Sequence, residues 1–527
     1  MRTVDGMPFL YKEATPSGVE WTGGSATSDN WSDADNWNGG NVPTAQGYAA
    51  FGGLTRLTPV NDSVSTVSGI VFRASSGPFV LSGSGTLALT ANCVSRSGAT
   101  VDNAVIVSHS AFDQTVAQPL DLGAHHAYLR SDSAALKVTG GISTSASGYY
   151  FIVCGDVRVG GTCSVGVFTY KNSVSGTPSC LTVLPGGRFT CKGQNSRSFE
   201  EATSFTGRVV VEEGGEMVVK GECSFLYGGY ENVIDGTLSV ISGSGTGGVG
   251  RFAAGAQEQY FVGTGTVYAD GARAGRVADA ANHYVNIGGT LKLYMNGDWN
   301  TASYYVSGTT TNQIPNYPTR FRMADGTTLG ATADWTYGPA ADAYNTVAAT
   351  VTPADRTAVM SGTVTVDTQN PTNGAATHTI TFVDPLDASD ATIVKTGAGT
   401  LAFNTPAGYP SQISNLTVNA GTVRIAGDAA PVLRDLTVGA GATASFAAVP
   451  TLSGTLTIAS TDSNLSLDGS ESENGWYLIA TAADIATPNG ATTWRASNGL
   501  QTFKVVTDGD DTHLYGNLAN GLSIIFR

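Results

Sequence analysis

The sequence predicts an all-β fold, a coiled parallel β-solenoid, from three observations. One short phrase recurs between Ile393 and Ile458, in near-copies whose glycines are Gly399, Gly421, Gly441 and Gly454. After each glycine the residues alternate polar and apolar, as in Thr422–Ile425, which indicates a short strand with one buried face. The turn and strand recur about every 20 residues, the signature of a solenoid. Antiparallel β-sandwiches are the alternative.

Composition agrees with this fold and excludes some function classes. Of the 527 residues, 41% are apolar and 13% charged, about half the usual charged share. Strong helix formers are scarce, which favours strands and turns. The net charge of −15 comes without a basic patch, so nucleic acid is not an expected partner. We expect neither a signal peptide in Met1–Glu20 nor a transmembrane segment.

The recurring phrase resembles a known family repeat. Lys395–Leu401 reads Lys-Thr-Gly-Ala-Gly-Thr-Leu and Asn419–Val423 reads Asn-Ala-Gly-Thr-Val. Both are similar to the autotransporter-associated β-strand repeat, over about residues 390–460. The resemblance implies a single-stranded right-handed parallel β-helix that is secreted by a bacterium or displayed on its surface.

Three tryptophans mark the expected N-terminal cap. Trp21, Trp31 and Trp37 lie within a stretch that ends in Val-Pro43. This stretch resembles the opening of many large secreted bacterial repeat proteins, which implies a cap over residues 18–54. The alternative is an aromatic platform that binds sugar. The nearby Asp33, Asp35 and Asn36 lack a complete EF-hand spacing, so we expect turn and cap roles for them.

The remaining organisation follows from strand-like runs and turns. We expect a flexible leader at 1–17, one continuous helix of on the order of 90 Å over 55–474, and a C-terminal β cap over 475–527. Within this cap, strand-like runs occur at Thr502–Val506, His513–Tyr515 and Leu522–Phe526. The expected inward-facing side chains are Leu401, Val418, Val423, Ile425, Leu436, Val438, Leu456 and Ile458.

Residues 284–344 are rich in tyrosine, tryptophan and proline, and the pieces between strands are longer there. We interpret this region as coils that carry protruding loops, which is where binding residues tend to lie. Exposed rings of Trp299, Tyr304, Tyr305 and Trp335 would stack on sugar faces. The alternative is that these rings pack the loops against the body of the helix.

Five of the six cysteines fall between Cys154 and Cys223. The Cys154–Cys180 spacing is 26 residues and the Cys163–Cys191 spacing is 28. Either step could place two thiols on neighbouring coils within reach of a disulfide. Buried thiols in a stack are the alternative, and no zinc motif is present.

The sequence predicts no catalytic residue, no metal site and no cofactor. Carboxylates are scattered, and the pair His125–His126 lacks a partner at metal-ligand spacing. The Asp508, Asp510 and Asp511 cluster is typical of a solvated hairpin turn. The function that we expect is a non-enzymatic extracellular or cell-surface adhesin or stalk, whose partners are glycans or surface proteins. A carbohydrate-binding or polysaccharide-degrading β-helix protein is the alternative.

Overall fold

A computed structural model provides the structure of the protein and describes most of the chain. The described residues are 18–45, 47–90, 93–94, 100–101, 103–144, 150–170, 179–191, 207–220, 222–223, 231–241, 251–253, 259–273, 283–300, 304–306, 313–315, 319–338, 352–427, 431–468, 475–497, 499 and 501–518. The expected leader at 1–17 lies outside them. The chain divides into two compact units, Met1–Val267 and Tyr268–Arg527.

The described residues confirm the predicted fold class, an all-β parallel β-helix. Short strands follow one another around a coil, and each pairs in parallel with its equivalent in the next coil. Inward side chains of successive coils therefore stack on one another and form the core. The strands of the first unit are β1 (Val19–Trp21), β2 (Tyr48–Phe51), β3 (Val60–Asn61), β4 (Thr66–Val67), β5 (Gly69–Phe72), β6 (Val80–Gly83), β7 (Leu87–Leu89), β8 (Cys93–Val94), β9 (Thr100–Val101), β10 (Asn103–Ser108), β11 (Gln114–Val116), β12 (Leu120–Asp121), β13 (His126–Ser131), β14 (Leu136–Val138), β15 (Ile142–Ser143), β16 (Tyr150–Cys154), β17 (Asp156–Val159), β18 (Thr162–Val165), β19 (Val167–Tyr170), β20 (Ser179–Val183), β21 (Arg188–Cys191), β22 (Gly207–Val211), β23 (Glu216–Lys220), β24 (Glu222–Cys223), β25 (Glu231–Ile234), β26 (Thr237–Ile241), β27 (Arg251–Ala253) and β28 (Gln259–Val262).

Three parallel ladders run through the first unit. One ladder contains β1, β2, β5, β10, β13, β16 and β19, a second includes β6, β11, β14, β17 and β20, and a third includes β7, β12, β15, β18 and β21. In the first ladder one buried column runs through four coils, at Ile70, Ile106, Leu129 and Val153. Each such side chain contributes about 1.5–3 kcal/mol relative to an exposed position. β8 and β9 form a separate antiparallel pair.

The three tryptophans of the predicted N-terminal cap lie in the core of the first unit. Trp21, Trp31 and Trp37 are 1%, 0% and 2% exposed. Their ring centroids lie 6.2, 5.7 and 6.0 Å from that of Phe51, which continues the packing into β2. The indole of Trp37 also donates a 2.8 Å hydrogen bond to the carbonyl of Trp31. Buried rings cannot act as a sugar platform. The three tryptophans pack against one another and against Phe51, as the cap prediction expects.

The second unit begins within β29 (Thr266–Ala269) and contains the longest strands. Its further strands are β30 (Ala272–Arg273), β31 (His283–Ile287), β32 (Lys292–Met295), β33 (Trp299–Asn300), β34 (Tyr304–Val306), β35 (Gln313–Pro315), β36 (Thr319–Met323), β37 (Thr328–Ala331), β38 (Trp335–Gly338), β39 (Ala358–Met360), β40 (Gly362–Asp367), β41 (Thr379–Phe382), β42 (Leu386–Thr396), β43 (Thr400–Thr405), β44 (Gln412–Val418), β45 (Thr422–Gly427), β46 (Val432–Val438), β47 (Thr443–Phe446), β48 (Thr451–Ile458), β49 (Asn464–Leu467), β50 (Tyr477–Ala486), β51 (Thr493–Arg495), β52 (Gln501–Asp508) and β53 (Asp511–Leu518). Single 3-10 turns across the two units are Ala34–Asn36, Asn38–Gly40, Pro353–Arg356 and Pro488–Gly490.

Two ladders of the second unit merge at β42. Its first residues pair with β39 and its later residues pair with β40, and the register shifts between Ala388 and Thr392 in the next pairing. The following coils are therefore built from one long and one short strand. All eight side chains that we predicted to face inward are 0–2% exposed: Leu401, Val418, Val423, Ile425, Leu436, Val438, Leu456 and Ile458.

The fourth near-copy of the repeat phrase occupies a different ladder from the first three. Thr400, Thr422 and Thr443 stack in register, and the next residue in that column is Asn464. The fourth copy lies in β48, where Leu456 pairs with Leu436 of β46. The 13 residues between Gly441 and Gly454 are therefore not a coil. Residues in register on successive coils here are 20 residues apart between Gln412 and Val432 and 22 residues apart between Thr400 and Thr422.

The chain changes from parallel to antiparallel pairing at β50. This strand pairs in parallel with β48 and antiparallel with β53, and β52 pairs antiparallel with both β51 and β53. The predicted runs Thr502–Val506 and His513–Tyr515 lie within β52 and β53. The third predicted run, Leu522–Phe526, lies outside the described residues. Whether the helix is continuous over 55–474 stays a prediction.

No helix in the described part of the chain has the length and apolar character that crossing a membrane requires.

Candidate functional site

The structure places two of the four predicted ligand-binding residues in the core. Trp299 in β33 is 0% exposed and Trp335 in β38 is 2% exposed. The Trp299 ring lies 5.3 Å from Phe321, and the Trp335 ring lies 6.5 Å from Phe382, between centroids. The prediction that these two rings form a sugar platform is therefore wrong, because their strands turn the rings inward. Both rings pack in the core, which is the alternative that the sequence left open.

Tyr304 and Tyr305 belong to β34, which pairs antiparallel with β35. This two-stranded sheet is separate from the parallel ladders. The chain thus places an antiparallel pair of strands between β33 and β36. This agrees with the prediction that the pieces between strands are longer in this region. The side chains of both tyrosines lie outside the described residues, so their ligand-binding role stays a prediction.

The cysteine pairs lie on neighbouring coils but out of register. Cys163 pairs with Phe189, and Cys191 pairs with Val165, so the two cysteines are offset by two residues along adjacent strands. An offset of two residues and one strand spacing separates the Cα atoms by about 8 Å. That distance exceeds the roughly 7 Å that a disulfide spans without backbone movement. Cys154 and Cys180 lie on different ladders, because Cys154 ends β16 in the first ladder and Cys180 of β20 pairs with Asp156 of β17 in the second.

The four described cysteine side chains are buried thiols, which corrects the disulfide expectation for Cys154–Cys180 and Cys163–Cys191. Burial raises the pKa of Cys163 to about 12. Burial also raises the pKa of Cys180, although a contact with Thr182 opposes the shift. Thiols with raised pKa values are poor nucleophiles at neutral pH, which indicates that these two act as packing residues.

Aspartate side chains join successive coils. The carboxylate of Asp325 accepts a 2.7 Å hydrogen bond from the backbone N–H of Thr363, and that of Asp435 accepts one of 2.7 Å from Thr455. Four more aspartates accept a backbone N–H in this way: Asp113 from Ala135, Asp235 from Thr264, Asp298 from Thr336 and Asp334 from Thr379. Each carboxylate satisfies a backbone donor that the turn would otherwise leave without a strand partner.

A buried ion pair joins further coils in the second unit. The Nε of Arg356 donates to both carboxylate oxygens of Asp384, at 2.8 and 2.9 Å. Both side chains are nearly inaccessible, at 7% and 1% exposure. The hydroxyl of Tyr337 donates a 2.7 Å hydrogen bond to the Arg356 carbonyl, and burial raises the pKa of Tyr337. Removing one partner of such a pair leaves an uncompensated charge, so we assign the group a structural role.

A polar cluster in the first unit brings together residues that are distant in sequence. Asp132 contacts Nδ1 of His109 at 2.5 Å and Nε of Arg130 at 2.5 Å. Burial alone would raise the pKa of Asp132, but the hydrogen bonds from His109 and Arg130 outweigh it and lower the pKa. Sequence reasoning missed this cluster because its members come from two coils that are 23 residues apart.

The predicted hairpin turn at the aspartate cluster has the expected form. Asp508 pairs with Asp511 at the end of β52 and β53, and Gly509 adopts φ +65° between them. These residues are exposed. Within the described ranges, no three His, Cys, Asp or Glu side chains converge as a metal site would require.

Lys395 is a buried cation in an otherwise apolar column of the second unit. Its neighbours in register are Val366 on one side and Val418 on the other. Its Nζ donates to three carbonyl oxygens, those of Thr396 at 2.9 Å, Gly397 at 2.6 Å and Ala420 at 2.8 Å. Three donors meet three acceptors from two successive turns. Burial lowers the pKa of Lys395 to about 8.

The best candidate for a binding surface lies on the antiparallel sheet at the end of the second unit. All seven tryptophans of the chain fall in described residues; six are at most 7% exposed, and Trp476 is 41% exposed. The Nζ of Lys504 lies 4.9 Å from the Trp476 ring centroid and 5.4 Å from that of Tyr515. We call Trp476, Leu478, Lys504, Val506 and Tyr515 the C-terminal face.

Strand pairing assembles the C-terminal face. Lys504 and Leu478 both pair with Tyr515, from β52 and β50 respectively. Val506 is 38% exposed, and Leu478, Lys504 and Tyr515 are half-buried. Alternation along each strand sends the neighbouring residues to the opposite side, where Tyr477, Ile479 and Phe503 are buried. The face is therefore an outward apolar and aromatic surface with one ammonium group between two rings.

Sequence reasoning did not assign a role to the C-terminal face. The signal was present in Gly475–Ala480, because strand alternation puts Trp476 and Leu478 on the side opposite to Tyr477 and Ile479. What the sequence lacked was the pairing that brings Lys504 and Tyr515 beside Trp476.

No family model matches the chain, and neither a curated protein nor a solved structure matches it.

Proposed function

We propose that this chain is a non-enzymatic extracellular or cell-surface β-solenoid that acts as an adhesin or a structural stalk. Stacked coils provide a regular scaffold with lateral surfaces on which binding residues are displayed. The resemblance of Lys395–Leu401 to the autotransporter-associated repeat supports a bacterial surface or secreted location.

One observation supports this proposal most directly: aspartate carboxylates accept hydrogen bonds from the backbone of the next coil. Asp325 and Asp435 each accept a backbone N–H from the following coil. A general acid in a glycosidase needs a raised pKa. The opposite holds for Asp435, where the hydrogen bond from Thr455 lowers the pKa, and for Asp113, where Lys137 lowers it. These carboxylates are committed to holding turns together.

Carbohydrate binding is the second candidate function, and the C-terminal face favours it. Exposed aromatic rings beside a polar group are a common means of holding sugar rings, because the ring buries apolar C–H groups while the edge stays hydrated. Trp476 is the exposed tryptophan of this chain, in contrast to the buried Trp299 and Trp335.

The test is adhesion measured together with turnover. Beads coated with the full chain are applied to immobilised polysaccharides and to surface-protein extracts, and the same polysaccharides are assayed for new reducing ends and for unsaturated products. We expect retention of the beads on at least one surface without chain cleavage.

Cleavage of any polysaccharide that disappears when one Asp or Glu is replaced would show a hydrolase or lyase and contradict the proposal. Lack of retention on every surface would remove the adhesin role and leave the stalk role, which predicts no ligand. An uncoated bead and a bead coated with unfolded chain serve as controls.

A further inference from the structure

We infer that the C-terminal face is a binding site for an anionic polysaccharide, one whose pyranose rings carry carboxylate groups. The inference rests on carbohydrate binding, the second candidate function, and specifies the place and the class of sugar. Three features support it: an exposed tryptophan ring, an ammonium group that forms no ion pair with a carboxylate among the described residues, and a rigid support.

The exposed ring is Trp476. An indole left 41% exposed keeps a large apolar area in water, which the other six tryptophans avoid by packing in cores. Leu478 and Val506 extend the apolar surface on the same side of the sheet. A contiguous exposed apolar patch next to polar groups marks an interaction site more often than a random surface does.

The ammonium group is that of Lys504. It lies 4.9 Å from the Trp476 ring centroid and 5.4 Å from the Tyr515 ring centroid. No carboxylate among the described residues forms an ion pair with it. A sugar ring stacked on either aromatic would bring a carboxylate substituent within reach of Nζ, where a charge-assisted hydrogen bond forms.

The chain carries a net charge of −15, so the acidic groups around the C-terminal face bear on anion binding. The acidic groups that follow Lys504 along the chain are Asp508, Asp510 and Asp511 of the hairpin turn, and the first of them lies four residues away, about 13 Å at strand spacing. This separation exceeds the Debye length of about 8 Å at physiological salt, so the repulsion from the turn is largely screened. Arg495 in β51 adds a second cation at this end of the unit, with Nε hydrogen-bonded to the Gly499 carbonyl at 3.0 Å.

The support beneath the face is rigid. The Trp494 and Phe503 rings stack at 5.1 Å between centroids on the inner side of the sheet. The amide of Gln501 donates a 3.0 Å hydrogen bond to the Tyr477 hydroxyl in the same layer. Since the backbone is fixed by strand pairing, binding would order few groups and lose little conformational entropy.

The experiment measures binding of the full chain to three polymers of similar length by calorimetry. Polygalacturonate supplies rings with carboxylates, dextran supplies neutral rings, and polyglutamate supplies carboxylates without sugar rings. We expect binding to polygalacturonate alone. Trp476→Ala should weaken it about tenfold or more, equivalent to about 1.4 kcal/mol. Trp476→Phe should recover part of the loss, and Lys504→Gln should weaken binding and reduce its salt dependence.

Matched controls are Val432→Ala, which removes an exposed apolar side chain elsewhere in the second unit, and Lys292→Gln, which removes an exposed lysine. Neither should change binding. Unfolding curves of all variants show that a lost affinity is not lost folding.

Several results would overturn the inference. Equal binding of polyglutamate would show simple charge attraction. Equal binding of dextran would reject the anionic class while leaving carbohydrate binding in place. Polysaccharide binding that Trp476→Ala leaves unchanged would place the site elsewhere, and binding of none of the three polymers would reject the inference without touching the adhesin or stalk role. Concentration-dependent self-association that Trp476→Ala abolishes would identify the face as a contact between two copies of the chain.

Discussion

Two tryptophans have different roles in this protein, and the exposed fraction of each side chain distinguishes them. Trp299 is buried against Phe321 and Tyr337, while Trp476, which directly precedes β50, is 41% exposed. Trp299→Ala should lower the free energy of unfolding by about 3–5 kcal/mol, because it empties a packed site. Trp476→Ala should change it by at most about 0.5 kcal/mol. Urea unfolding followed by circular dichroism distinguishes the two, and equal effects would contradict the burial assignment.

Lys395 provides a second prediction at the residue scale. Lys395→Met removes three hydrogen bonds to turn carbonyls and should destabilise the chain by about 1–3 kcal/mol at pH 7. Its pKa in the folded chain is about 8, below the ordinary value of 10.5. Between these pH values the unfolded chain binds more protons, so the contribution of Lys395 to stability rises with pH.

The check is urea unfolding of both proteins at pH 7.5, 9 and 10. The stability difference between wild type and Lys395→Met should grow with pH across this window, because the other titrating groups are common to both and cancel. A difference that is constant from pH 7.5 to 10 would show that the folded pKa is not lowered.

At the scale of the element, turns are joined to the next coil by aspartates. The hydrogen bond from Thr455 lowers the pKa of Asp435 below 3.8. A lowered carboxyl pKa contributes stability that is present above the unfolded pKa and is lost as pH falls through the folded pKa. Asp435→Ala should therefore cost about 1 kcal/mol at pH 6 and less at pH 3.

Asp510→Ala is the control, since Asp510 lies in the exposed hairpin turn. It should leave stability unchanged at both pH values. Thermal unfolding of the three proteins measures the effect. An Asp435→Ala penalty that persists in full at pH 3 would mean that the contribution of the Asp435–Thr455 hydrogen bond does not depend on the carboxylate charge.

At the scale of the whole molecule, the coil is the unit of construction. Gln412 and Val432 occupy the same position in successive coils, which makes residues 412–431 one coil. Deleting 412–431 should leave a folded, less stable chain, because β46 then takes the place of β44 with the same side chains inward. Deleting 412–421 should prevent folding of this part, because the remaining half-coil cannot pair in register.

Circular dichroism and cooperative unfolding measure both deletions. The full-coil deletion should keep the β spectrum and a single steep transition for the second unit. Loss of folding in both variants would show that one coil cannot replace another, because each coil packs specifically against its own neighbours.

The sequence by itself determined the fold class, because the pattern that specifies it is local. Alternation after each glycine marks a strand and its buried face, so the inward positions from Leu401 to Ile458 could be assigned residue by residue. The turn at Asp508–Asp511 and the packing of the N-terminal tryptophans followed in the same way from short-range patterns.

Only the tertiary structure decided which residues meet across coils. Coil lengths vary, so a fixed spacing could not give the register: Cys163 meets Phe189 instead of Cys191. The direction of a ring depends on which side of a strand faces the core, and this placed Trp299 and Trp335 inside. The C-terminal face joins Trp476 to Lys504 and Tyr515 through antiparallel pairing that spans about 40 residues of sequence. Such long-range pairing is set by the packing of the whole sheet, and no local pattern encodes it.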